Sequence, residues 1–157
     1  MVSIMLADGH EICDDPTRVD VDRVHGWLST DAYWALGRSR EVVVRSIANS
    51  LVFGVYRGDA DGQVGFARVV TDQATFGWLC DVYIDRSVRG RGLGRQLVAT
   101  ARDELARRGV RRLVLGTLDA HGVYAALGFT PLAEPDRWME LTAAQPLTAE
   151  PAGPADR

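Results

Sequence analysis

Residues 75–94 read TFGWLCDVYIDRSVRGRGLG, an apolar run that ends in alternating arginine and glycine. Gly90, Gly92 and Gly94 leave the backbone free of Cβ atoms just where a following helix would turn its first, unpaired N–H groups outward. A helix start of that kind binds anions. Arg89, Arg91 and Arg95 surround it with positive charge, so the chemistry on offer is capture of a phosphate group. Two common phosphate motifs do not fit. A dinucleotide fingerprint needs a third glycine where Arg95 or Leu97 stands, and a ribose-binding acid about 20 residues on, where the chain has Leu113, Val114 and Leu115. A Walker loop needs a lysine, and this chain has none. The pattern that remains is Arg89-x-x-Gly92-x-Gly94.

Groups able to move a proton are few. Asp81 is a lone acid in an apolar run, where desolvation would raise its pKa and suit it to take a proton from an ammonium. Pairing with Arg68 on a neighbouring strand would instead make it structural. Asp72 and His121 are further candidates on the acceptor side. Cys80 with His121 offers a thiol nucleophile, but a lone cysteine in such a run is ordinarily a plain buried residue. Trp34, in a stretch read as a loop, is the aromatic best suited to line an acceptor pocket with Tyr33, Trp78 and Tyr83. His10 and His25 read as surface residues. No metal site is expected, since Cys13 and Cys80 have no ligand spacing.

The elements that must position these groups follow from periodicity. The aromatic and β-branched run 78–84 reads as a half-buried strand, broken by Asp85, Arg86 and Ser87. Leu93, Leu97, Val98, Ala101 and Leu105 then fall on one face of a helix, with Arg107 and Arg108 at its negative end and Gly109 as its stop. Leu113, Val114 and Leu115 suit a parallel strand covered on both faces. Upstream, residues 2–6 and 11–13 read as a broken first strand, a helix opens at Asp15, and a second over 40–50 turns Val43, Val44 and Ile47 inward. Two hairpin strands over 51–56 and 64–70 lead into the organising strand. Past Leu115 come a loop, a short helix over 123–127 ended by Gly128, and a last strand over 137–141 with Trp138 and Met139 in the core.

The chain has 157 residues, a formal net charge of −3 and a 46% apolar fraction, which suit one α/β domain. That domain is expected over 1–141, with 142–157, spaced by Pro146, Pro151 and Pro154, a disordered tail. The reading finds no signal peptide and no membrane span, and expects reduced cysteines in the cytoplasm. Charge is uneven: residues 86–112 hold nine arginines against two acids, the remainder nine against nineteen. An acidic remainder repels a polyanion, so a small anionic cofactor is expected rather than nucleic acid.

Arg89-x-x-Gly92-x-Gly94 between an apolar strand and an amphipathic helix, followed by Tyr124-Ala-Ala-Leu-Gly128-Phe129, resembles the GNAT superfamily of acyl-CoA-dependent N-acyltransferases over residues 51–141. The resemblance implies a mixed, mostly antiparallel sheet with a central parallel strand-helix-strand unit and helices on both faces. It further implies acetyl-CoA as cofactor, its arm along Val82, Tyr83 and Ile84 and its pyrophosphate on the loop Arg89, Gly90, Arg91, Gly92, Leu93, Gly94 and Arg95. Tyr124 is nominated to protonate the leaving thiolate, with Asp81 as the companion base. The expected reaction is acetyl transfer to a primary amine of a small molecule or protein by direct attack, with a homodimer left open. A catalytically silent CoA-binding module on the same fold is the alternative.

Overall fold

The computed structural model describes residues 1–58 and 62–142. The expected disordered tail therefore lies almost wholly outside the described residues. So does the middle of the turn after Arg57.

Six strands form one sheet in sequence order: β1 (Ser3–Met5), β2 (His10–Cys13), β3 (Leu51–Arg57), β4 (Gly62–Thr71), β5 (Gly77–Ile84) and β6 (Leu113–Val114). All neighbours are antiparallel except β5 and β6. Helices α1 (Val21–Thr30) and α2 (Arg40–Ala48) precede the meander, α3 (Leu93–Arg107) joins the parallel pair, and α4 (His121–Ala125) follows it.

The sheet's alternation sorts the core into two clusters. Phe53, Val55, Val69 and Leu79 meet Leu93, Leu97, Val98, Ala101 and Leu105 of α3, all buried. Each leucine so buried contributes about 2 kcal/mol. On the opposite face, Val52, Phe66 and Tyr83 meet Val24 and Leu28 of α1 and Val43 and Ile47 of α2. Both expected helical faces form, except that Val44 lies one position off the buried stripe and is exposed.

Four further expectations need correction. The first helix opens at Asp20, whose carboxylate caps the Arg23 amide, because Asp15 is spent on the Thr17 amide of a 3₁₀ turn, Pro16–Arg18. Residues 137–141 form no strand: Pro135–Arg137 is a 3₁₀ turn, and the chain then runs on without a ladder partner. Trp138 lies on the Arg112 guanidinium instead of in the core, and Met139 is 97% exposed. His10 is buried in β2, its Nδ1 3.0 Å from the Asp8 carboxylate. His25 is half-buried, its Nε2 3.2 Å from the Arg38 carbonyl oxygen.

One irregularity sets up the site. The β4–β5 register runs Gly65–Ile84 and Phe66–Tyr83, then resumes at Arg68–Cys80, so Asp81 and Val82 together oppose Ala67. This bulge bends β5 at its middle. Asp81 sits there in left-handed backbone, φ 53°.

Candidate active site

Strands β5 and β6 pair only at Gly77–Leu113 and Trp78–Val114. Beyond that point they part, and two cavities open into the gap.

The first, of about 550 Å³, ends at the start of α3. Gly92 is the helix cap, in left-handed backbone at φ 76°, and no side chain caps the helix. The first intrahelical bond comes from the Gln96 amide to the Gly92 carbonyl, which leaves the amides of Leu93, Gly94 and Arg95 pointing outward. The loop before them is held from both sides. Asp85 accepts from the Ser87 amide at 2.9 Å and the Ser87 hydroxyl at 2.6 Å, and Arg89 Nε donates to the Ile84 carbonyl at 2.8 Å. Val82, Tyr83, Ile84, Arg89, Gly90, Gly92, Leu93, Gly94 and Arg95 all line this cavity; Arg91 does not.

Its rim holds residues that sequence reasoning missed. Asp31, just past α1, accepts from Arg86 and from the Tyr83 hydroxyl at 2.5 Å, with Arg89 3.5 Å away. Arg86 and Tyr83 hold its carboxyl down to about 2. Arg89 also stacks over the Tyr83 ring at 5.1 Å. No motif links positions 31 and 86, so only the fold reveals the cluster.

The second cavity, of about 360 Å³, lies on the other side of Val82 and Tyr124, which line both, as do Tyr33, Trp34 and Asp119. Trp34 and Tyr33 meet edge to face at 4.9 Å, and the Tyr33 hydroxyl accepts from the Leu118 amide at 3.2 Å, tying the α1–α2 connection across the cleft to the loop before α4. Trp34, read from sequence as a loop residue, lies in that connection and lines both cavities. The floor is Asp81, whose side chain is 1% exposed. Arg38 Nη1 and Arg68 Nε donate to one carboxylate oxygen at 2.6 Å each, and Trp34 Nε1 to the other at 3.1 Å.

Burial alone would raise the Asp81 pKa, but Arg68 and Arg38 outweigh it and hold the carboxyl below its ordinary value. The raised pKa expected of a base is therefore absent. Arg38, invisible as a partner in the sequence, completes the pairing that Arg68 was expected to make.

The remaining candidates separate. Asp72 lies in the turn before β5, where it accepts from the amides of Ala74, Thr75 and Phe76 and the Thr75 hydroxyl. That network holds its pKa low, and Asp72 lines neither cavity. His121 starts α4 but faces a groove outside the cleft, so it is no partner for Cys80, whose thiol burial pushes up to about 11. Tyr124 packs its ring on Phe129 at 5.8 Å, and burial raises its phenol above the ordinary value. Among the described residues its hydroxyl has no hydrogen-bond partner, and no group of three or more metal-ligating side chains occurs.

Known proteins match this arrangement. Residues 21–129 fit the sequence profile described as the Acetyltransferase (GNAT) family. A Gibberella zeae protein that carries an acetyltransferase name by inference is 31% identical over 128 residues, which cover 69% of this chain and 71% of that one. A Xanthomonas campestris crystal structure assigned to the same family has a TM-score of 0.79 at 38% identity, covering 85% of this chain and 93% of that one. Glucosamine-6-phosphate N-acetyltransferase from Arabidopsis thaliana shares the fold, with a TM-score of 0.60 at 12% identity over 85% of this chain and 97% of that one. On the profile match and these similarities, the chain belongs to the GNAT family of acetyltransferases.

Proposed function

We propose that the protein transfers an acetyl group from acetyl-CoA to a primary amine of a small molecule or protein by direct attack, with no acyl-enzyme. The observation that carries this reading is the meeting of two cavities at Val82 and Tyr124, in the gap where β5 and β6 part.

The fit to the cofactor is chemical. The outward amides of Leu93, Gly94 and Arg95, with the Arg89 and Arg95 side chains, suit a diphosphate, and a Cβ at Gly92 would strain the turn that aims them. The edge of β5 that β6 does not pair suits an extended amide-bearing arm along Val82, Tyr83 and Ile84.

At the junction an amide near Val82 or Tyr83 is the donor for a developing oxyanion. Tyr124, a phenol whose pKa burial raises above its ordinary value, donates its proton to the departing thiolate as the C–S bond breaks and the C–N bond forms. Asp81, neutralised by two arginines, positions Trp34 and takes no proton. The acceptor ammonium gives one proton to solvent through the open cavity before attack; a second leaves nitrogen for solvent as the amide forms, and solvent returns a proton to Tyr124. Asp119, on both cavities and without an ion pair among the described residues, attracts that ammonium. No described helix is long and apolar enough to cross a membrane, and the free Cys13 and Cys80 support the cytoplasmic reading.

Thiol release from acetyl-CoA measured over a panel of primary amines tests the proposal. Release that depends on an amine supports it. CoA binding without release for any amine would leave the silent module.

A further inference from the structure

The second cavity differs from one end to the other. Tyr33, Trp34, Val82, Asp119, Ala120 and Tyr124 line both cavities and so mark the end that faces the first. Arg38, Arg68, Trp78, Cys80 and Asp81 line the second cavity alone and form its far end. Asp119 therefore stands near the junction, and both arginines stand away from it.

The far end carries charge in excess. Two guanidiniums, Arg38 and Arg68, share the single carboxylate of Asp81, which leaves one positive charge uncompensated. Neither has a second acidic partner among the described residues. Their side chains are only 20% and 12% exposed, so solvent screens that charge poorly and leaving it unpaired is destabilising. Donors remain as well. Among the described residues the Arg38 side chain donates once, from Nη1 to Asp81, while Arg68 donates from Nε to Asp81 and from Nη1 to the Ser50 hydroxyl at 3.2 Å. A guanidinium has five N–H donors in a planar fork that matches a carboxylate.

We propose that the acceptor is a small zwitterion, a primary amine that also carries a carboxylate, with its anion on Arg38 and Arg68 and its amine beside Asp119. This rests on the acetyl-transfer reading and names the class of amine within it. Charge selects a carboxylate over a phosphate: the far end has one positive charge to offset, and a phosphate monoester brings about −1.5 to −2. Across the cavity Arg38 and Arg68 balance Asp81 and Asp119, so a ligand of no net charge with its poles in this order leaves no charge unpaired. Size selects a free molecule over a protein chain, since about 360 Å³ lies at the small end of ligand pockets, which start at roughly 300 Å³. Trp34 and Trp78 supply apolar wall for the carbon skeleton.

Thiol release from acetyl-CoA over matched acceptors tests this: each amino acid beside its carboxamide and beside the amine lacking its carboxylate, and aminoethyl phosphate beside β-alanine. The expected kcat/KM is about tenfold to a hundredfold higher for the preferred amino acid than for its carboxamide. The carboxamide's amine is the less basic and more often neutral, so reactivity alone gives the opposite order. Arg38→Gln leaves Asp81 paired with Arg68 and should bring the ratio to about one; Arg38→Lys keeps the charge and should restore part of it. A merely structural Arg38 would lower both rates together and leave their ratio unchanged. Equal wild-type rates for amino acid and carboxamide, a preference for the phosphate, or a ratio that survives Arg38→Gln would each overturn the assignment and leave acetyl transfer standing. The wild-type ratio decides alone if Arg38→Gln does not fold. If no amine releases thiol, the acetyl-transfer reading itself fails, and calorimetry on the CoA complex decides the site: an amino acid that binds where its carboxamide does not supports it, and equal or absent binding overturns it.

Discussion

Asp81 shows how one residue can lose the role its surroundings suggest in sequence. A carboxylate in an apolar strand should have a raised pKa, yet two guanidiniums on one of its oxygens reverse the sign. Its pKa is depressed in the folded state, so its contribution to stability is complete above the ordinary carboxylate value of about 4 and fades as pH falls toward the lowered one. Asparagine also tolerates left-handed backbone, so Asp81→Asn isolates the charge. It leaves Arg38 and Arg68 without their anion and should cost about 3 kcal/mol at neutral pH, read by denaturant unfolding, with the deficit closing in acid. Its remaining turnover should show no rescue at high pH; recovery there would restore Asp81 as the base. Tyr124→Phe is the complementary case. It keeps the ring on Phe129 and removes the proton, so CoA affinity should hold while turnover falls about 10²-fold, roughly 2.7 kcal/mol in the barrier. Turnover near wild type in that variant would reduce Tyr124 to packing.

At the scale of elements, the loop before α3 depends on backbone conformation more than on space. A Cβ at Gly92 would meet nothing within 4 Å, but φ there is 76°, so Gly92→Ala should cost about 1–2 kcal/mol and turn the α3 amides away. The expected result is a folded protein whose melting temperature no longer rises with acetyl-CoA; an unchanged rise would put the cofactor elsewhere. This loop and α3 were legible because their signals are local: glycines at a helix start, five apolar residues on one face, Gly109 after the end. Of the second cavity, Tyr33, Trp34, Trp78 and the Asp81–Arg68 pair were legible in the sequence. Asp31 and Arg86 on the first cavity, Arg38 on the second and Asp119 on both come from elements far apart in sequence, and no spacing rule joins them. The bulge at Asp81 was hidden for a related reason. Alternation predicts a regular strand, and only its register with β4 reveals the extra residue. The strand expected over 137–141 carries the right pattern, but a pattern does not supply the partner edge a strand needs.

Over the whole molecule, the uneven charge resolves into a focused field. Of the nine arginines between 86 and 112, Arg107 and Arg108 are tied to Glu104 at 2.6 and 2.8 Å, and Arg102 to Asp103 at 2.7 Å. Arg86 and Arg89 share Asp31, whereas Arg91, Arg95, Arg111 and Arg112 have no acidic partner among the described residues. The unneutralised charge therefore divides between the start of α3, where the helix dipole adds to it, and Arg111 and Arg112 beyond its far end, and no continuous basic stripe follows the helix. A compact site of this kind favours a small polyanion over a long one. Affinity for CoA, measured by calorimetry, should fall roughly tenfold as salt rises from about 50 mM to about 500 mM, because screening shortens the reach of exposed charge to a few ångströms. Arg95→Ala should weaken binding at low salt and flatten that slope, since it removes one of the two unpaired cations at the start of α3. Oligonucleotides should not bind at about 150 mM salt, where acidic surface elsewhere repels the strand beyond the site. A CoA affinity indifferent to salt would show that this field plays no part in capture, and tight oligonucleotide binding would show that the acids fail to exclude a longer anion.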